Sequence, residues 1–248
     1  MQNDVLLTSC VDWKDRIVGS KSIIPYSSLY EKQAKSALAI FNDLIVVDAL
    51  GSPRLGDISK PWVQDFASAI FGSYNGQTGQ RLIKEVMLLI SKKNGKSTIA
   101  GLLMLTLLIT NWRKAAEFLI LSPTKEIADN SFTPIQNAIN ADKKLSKIFH
   151  VQSHIRTITD TRTKAKLKIF AANSETVGGK KAVAVLVDEL WLFGKKANAE
   201  NILREATGGL ASFQEGIVIY LSTQADEAPS GIARRLNFDY KVCYELFD

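Results

Sequence analysis

Cysteine is nearly absent. The 248-residue chain holds two, Cys10 and Cys243, at opposite ends and without metal-ligand spacing. That excludes a disulfide framework and points to a reducing compartment. Long apolar runs are missing too. The longest, Ile99 to Ile109, falls short of the roughly 18 to 20 residues that a membrane span needs. The N-terminus, Met1-Gln-Asn-Asp-Val, lacks the charged-then-apolar pattern of a signal peptide. Internal repeats and low-complexity segments are not found. These absences predict a soluble intracellular protein with no membrane partner.

Hydrophobic residues make up 46% and charged residues 23% of the chain, an ordinary globular composition. The length predicts one large α/β domain with an N-terminal appendage. Net charge is +6, and it is uneven: residues 111–181 hold 13 basic and six acidic side chains. The surplus lies in Lys143, Lys144, Lys147, Arg156, Arg162, Lys164, Lys166, Lys168, Lys180 and Lys181. Such a cluster fits a polyanionic partner as well as a solvated face.

The periodicity predicts helices over Ser28–Val47 and Pro61–Phe71, within a helical N-terminal extension (1–60) and the start of a core (61–248). From Leu82 strands and helices alternate. Strands are expected at Ile83–Ile90, Glu117–Ser122, Ile155–Thr159, Leu167–Ala171, Val183–Val187 and Gly216–Leu221. Helices are expected at Lys96–Thr110, Thr124–Asn140, Ala199–Thr207 and Ser230–Leu236. This alternation implies a mainly parallel sheet flanked by helices.

The segment Ser91-Lys92-Lys93-Asn94-Gly95-Lys96-Ser97-Thr98 follows a strand and opens a helix. That is the context of a phosphate loop, whose backbone N–H groups and helix N-terminus bind phosphate oxygens. Lys96 would pair with the β- and γ-phosphates, and Ser97 would ligate Mg²⁺. The first glycine of the usual pattern is missing, since Ile90 holds its place. About 90 residues on, the apolar strand Val183–Val187 ends in Asp188-Glu189. Asp188 would hold the Mg²⁺ shell and Glu189 would orient or deprotonate the attacking water. A third strand ends in Ser222-Thr223-Gln224. His150 and His154 are four apart but lack further ligands for zinc.

These segments together resemble the ATPase domain of phage terminase large subunits, from about Tyr30 to Leu236. The resemblance rests on Trp62-Val-Gln-Asp-Phe, Lys92-Lys-Asn-Gly-Lys-Ser-Thr, Leu121-Ser-Pro-Thr-Lys-Glu-Ile-Ala and Gly178-Gly-Lys-Lys-Ala, then on Leu186-Val-Asp-Glu-Leu, Ala206-Thr-Gly-Gly-Leu and Leu221-Ser-Thr-Gln-Ala-Asp-Glu-Ala-Pro-Ser-Gly. It implies a P-loop NTPase fold of the RecA/ASCE type and a motor that uses ATP and Mg²⁺ to drive double-stranded DNA into a procapsid. It also accounts for the missing glycine, which the family's loop typically lacks. Lys92 matches a position where the family often has an arginine at the γ-phosphate; a lysine keeps the charge without the bidentate fork. By the same resemblance Gln64 reads the adenine edge, with Trp62 packing on the base, and Ser222-Thr223-Gln224 couples hydrolysis to movement. An arginine finger from a neighbouring subunit is implied, with Arg156, Arg162 and Arg204 as candidates. The implied partners are sequence-independent DNA, a homo-oligomeric ring on a portal and a small terminase subunit, in the host cytoplasm. Complete family members carry a nuclease domain, and no carboxylate cluster for one is expected here. Two other readings compete: a helicase-like (superfamily 2) DNA-dependent ATPase, and a nucleotide-gated assembly module with negligible turnover.

Overall fold

The computed structural model describes residues 30–171, 182–196 and 198–223, together with residues 15, 18, 19 and 231. Among the described residues seven strands form one sheet: β1 (Glu85–Leu89), β2 (Glu117–Ser122), β3 (Phe149–Gln152), β4 (Thr157–Asp160), β5 (Lys166–Ala171), β6 (Ala182–Val187) and β7 (Ile217–Ser222). Their order is β1-β7-β6-β2-β5-β4-β3. The first five are parallel; β4 and β3 add an antiparallel hairpin at the edge. All residues of β6 and β7 are buried, as expected of strands covered on both faces.

The helices are α1 (Glu31–Asp43), α2 (Leu55–Ile58), α3 (Pro61–Gly72), α4 (Lys96–Ile109), α5 (Lys125–Ala141), α6 (Leu145–Ile148), α7 (Leu190–Phe193) and α8 (Ala199–Gly208). One sheet face meets α1, α3, α4 and α5 through Phe41, Ile70, Leu103 and Ile135; the other meets α7 and α8 through Phe193, Leu203 and Ala206. The α4 helix is apolar on nearly every side because it lies between the sheet and its neighbours. The helices on either side of residue 60 pack on each other, with the Phe41 and Phe71 rings edge to face at 5.8 Å.

Several expected elements differ. The first helix ends at Asp43, not Val47. The β-branched residues beyond it turn back instead: Ile45 bridges to Arg54, and the Val46 N–H bonds the Pro53 carbonyl at 2.9 Å. The strand expected from Ile155 begins at Thr157, because Ser153–Ile155 is a 3₁₀ turn and Arg156 is left-handed at φ 46°. The strand before it, β3, went unread. The helix expected at Ser230–Leu236 lies outside the described residues apart from Gly231.

Candidate phosphate site

The candidate site lies at the C-terminal edge of the parallel strands, where open α/β sheets bind their ligands. The β1 strand runs into Ser91–Gly95. Two residues of that loop are left-handed, Lys93 at φ 70° and Gly95 at φ 69°. Gly95 adopts this conformation without side-chain strain and caps α4. Asn94 Nδ2 donates to Ser91 Oγ at 2.7 Å and closes the loop on itself. The first turn of α4 then aims its N–H groups, with Ser97 and Thr98, at a cleft of about 510 Å³. Ser91, Lys92, Lys93, Gly95, Glu189 and Thr223 also line it.

Lys96 is 7% exposed. Its Nζ lies 2.7 Å from Glu189 Oε1 and 3.2 Å from Asp188 Oδ1. The phosphate-loop lysine and the acidic pair thus meet across 92 residues of chain. Asp188 is fully buried. Its Oδ2 accepts from Ser131 Oγ at 2.8 Å, and its Oδ1 accepts from the Glu189 N–H at 3.0 Å. Glu189 is left-handed at φ 49°, a rare state for this residue type, and it stands just before α7. Its side chain caps nothing there. It turns instead to Lys96 and to Thr223, whose Oγ1 donates to Oε2 at 3.3 Å.

The β7 strand lies between β1 and β6. Ser222 and Thr223 therefore sit between the phosphate loop and the acidic pair. The Ser222 carbonyl accepts from the Ile90 N–H at 3.1 Å, and its Oγ accepts from the Trp191 N–H at 3.3 Å. Gln224 lies outside the described residues, as do Cys10, Cys243 and the Gly178–Lys181 segment.

Other sequence-predicted residues are held elsewhere. Gln64 Nε2 donates to Asn42 Oδ1 at 2.9 Å and to Ser59 Oγ, tying α3 to α1 and to the end of α2. Trp62 packs on the core. Neither lines the cleft. Arg156 forks onto Asp129 at 2.5 and 2.8 Å, which raises the arginine pKa and lowers that of Asp129. Asp129 lines the cleft, so Arg156 is tied to its rim. Arg162 binds Asp160, and Arg204, exposed, binds Asn201. Lys168 pairs with Glu117 at 3.3 Å. The basic surplus is thus partly neutralised; Lys143, Lys144, Lys147, Lys164 and Lys166 stay exposed. His150 and His154 are both exposed, on β3 and in the 3₁₀ turn. Among the described residues no group of three or more His, Cys, Asp or Glu could hold a metal.

Sequence reasoning missed Asp48, Asp129, Asn130 and Thr133, which complete the cleft wall, and Ser131 behind Asp188. The signal for Ser131 was there: a serine within the apolar stripe Ala128, Phe132, Ile135, Ile139 of α5. A larger hollow of about 850 Å³, between Tyr30, Arg81, Trp112 and Glu215, lies at the other end of the strands, where Phe118, Val183 and Ile217 begin them. It has no phosphate loop, so the smaller cleft is the better site.

A parallel sheet, a left-handed loop capping α4 and a lysine set against two strand-end carboxylates define a P-loop ATPase fold. More particularly, the chain belongs to the family of terminase large subunit ATPase domains, which it matches over residues 61–235. No curated protein matches the sequence. Among solved structures it is similar to the large terminase of bacteriophage HK97, with 18% identity over 84% of this chain and 41% of that one, at a TM-score of 0.68. The ATPase domain of the Thermus phage P74-26 large terminase follows at 14% identity, 65% and 69% coverage and a TM-score of 0.47. S. cerevisiae dbp5 bound to gle1 and ip6 gives 12% identity, 86% and 50% coverage and 0.50. The chain thus spans about two-fifths of the HK97 protein. No described helix is long and apolar enough to cross a membrane.

Proposed function

We propose that this domain hydrolyses ATP with Mg²⁺ and that the hydrolysis drives double-stranded DNA into a procapsid. The observation that carries the reading is the meeting of Lys96, Glu189 and Thr223 at one cleft, with Asp188 buried against Lys96. Lys96 holds the position from which it can trade two carboxylates for phosphate oxygens. Once it does so, Glu189 is released to take a proton from water. Thr223 touches Glu189 and directly follows β7, so a change at the γ-phosphate reaches that strand through one residue. Arg156, pinned by Asp129, is one candidate for the arginine that completes the site, beside Arg162 and Arg204.

The donors suit Mg²⁺. A hydroxyl (Ser97) and a carboxylate (Asp188) are hard oxygen ligands of the kind it prefers. The Ser122 Oγ, buried next to Asp188 in register and without a partner among the described residues, fits a place for an ordered water. Ser97 and Asp188 would hold the ion, which when bound would neutralise charge on the β- and γ-phosphates. The exposed Lys143, Lys144, Lys147, Lys164 and Lys166 would meet DNA phosphates without reading sequence. A ring of copies on a portal, a small-subunit partner and the host cytoplasm complete this reading.

The test is steady-state ATP hydrolysis by the chain and its Glu189→Ala variant, with and without double-stranded DNA, over a range of protein concentrations. Loss of the general base should cost about 10²- to 10⁴-fold in turnover and leave nucleotide binding intact. Turnover per chain that rises with concentration points to a neighbour's arginine. Full activity in Glu189→Ala overturns the assignment, and strand separation by the chain would favour the helicase-like alternative.

A further inference from the structure

Asp188 is more heavily engaged than its charge alone requires. Its Oδ2 accepts from Ser131 Oγ at 2.8 Å, while Oδ1 faces the Glu189 N–H and Lys96. Asp188 and Ser131 are both fully buried. Ser131 comes from α5, an element that contributes no motif to the phosphate loop or to the acidic strand. It reaches Asp188 from where α5 packs on α4 at Gly101. At Gly101 an added Cβ would stand 2.6 Å from the carbonyl oxygen of Ser131 itself, a backbone atom that cannot step aside. The glycine of one helix thereby sets where the serine of the other stands. Ser122 lies on β2 one residue beyond the paired positions Leu121 and Val187, beside Asp188 in register. Its hydroxyl has no partner among the described residues. Of the two nearby serines, only Ser131 holds the carboxylate.

We propose that Ser131 is a positioning residue: by fixing Oδ2 it turns Oδ1 of Asp188 toward the phosphate loop, where the Mg²⁺ shell and Lys96 compete for it. The inference rests on the reading of Asp188 as the Mg²⁺-shell carboxylate. A hydroxyl that merely satisfied a buried carboxylate would matter to stability and leave the metal dependence alone.

The full chain is titrated with Mg²⁺ in the presence of a fluorescent ADP analogue, and nucleotide binding is read directly. Partners behind a ligating carboxylate typically carry 10- to 100-fold in metal affinity. Ser131→Ala should weaken the apparent Mg²⁺ affinity by roughly 10-fold or more, with nucleotide affinity in EDTA unchanged. Ser131→Cys keeps the volume but donates poorly, and it should behave like Ser131→Ala. Thermal unfolding of each variant checks that the chain is folded. Wild-type Mg²⁺ dependence in both variants overturns the proposal, and so does a Ser131→Cys variant that recovers it, since volume would then be the cause. Asp188→Asn separates the two levels. If it abolishes the Mg²⁺ dependence while the Ser131 variants do not, only the role of Ser131 fails. If it changes nothing, the reading of Asp188 fails as well.

Discussion

At the scale of single residues, the site is a set of charges held in check by one another. Lys96 is buried, and such an amine is costly without a partner; the two carboxylates supply one. Asp160 shows the same rule away from the cleft. Burial alone would raise its pKa, but two hydrogen bonds from the Arg162 side chain and one from its backbone outweigh that, and the net direction is down. A carboxyl depressed in the folded state contributes stability that is complete above its unfolded pKa, about 3.9, and is lost as pH falls through the lower folded value. Asp160→Asn should therefore flatten the acid limb of a stability-versus-pH curve below about pH 4. Urea titrations at several pH values would show it; an unchanged slope there would contradict the pairing.

The lysine, the acidic pair and the strand-end serine and threonine were legible as residues because each sits at a strand end or a helix start, where spacing is short and local. Gln64 was less so. The family resemblance assigns it to the adenine edge, while its Nε2 donates to Asn42 and Ser59, contacts that only tertiary packing decides.

At the scale of elements, β2 was read to the residue and α4 to within one, since their apolar runs are long and cleanly bounded. The hairpin of β3 and β4 was half read. Phe149–Gln152 alternates apolar and polar residues but is only four residues long, too short to stand out until β4 pairs with it. The approach of α4 to α5 could not be read from sequence at all. A glycine inside an apolar helix usually costs stability, and here it makes room for a neighbouring backbone. Gly101→Ala gains helix propensity but drives α5 outward, so a net loss of about 1 to 2 kcal/mol is expected from the overpacking. Chemical denaturation would measure it. A stabilised variant would mean that the two helices can separate freely.

At the scale of the molecule, the apolar core between the helical layer and the sheet is reinforced by a buried guanidinium. Arg81 donates to the Ile70 carbonyl, Ser73 Oγ, Tyr74 Oη and the Glu215 carbonyl, so it binds the end of α3 to the turn that precedes β7. Nothing in its sequence neighbourhood marked it, because its partners lie up to 134 residues away. Arg81→Ala would strand several buried acceptors, each worth about 1 to 3 kcal/mol, and should lower stability by about 3 kcal/mol or more. A loss of unfolding free energy below about 1 kcal/mol in denaturant titrations would show that water replaces the guanidinium.

The position of β7 also dictates an order of events during synthesis. Among the described residues β1 stands at the sheet edge, and the neighbour it bonds to is β7. About half the chain is translated between the two. For that interval the ribosome presents Val86-Met-Leu-Leu-Ile as an open strand with no mate, the kind of segment that recruits other nascent chains. Lys84 and Glu85 stand directly before it, as charged gatekeepers do at unavoidable apolar strands. The strand that leads into the phosphate loop thus waits, guarded by two charges, for β7 to leave the exit tunnel.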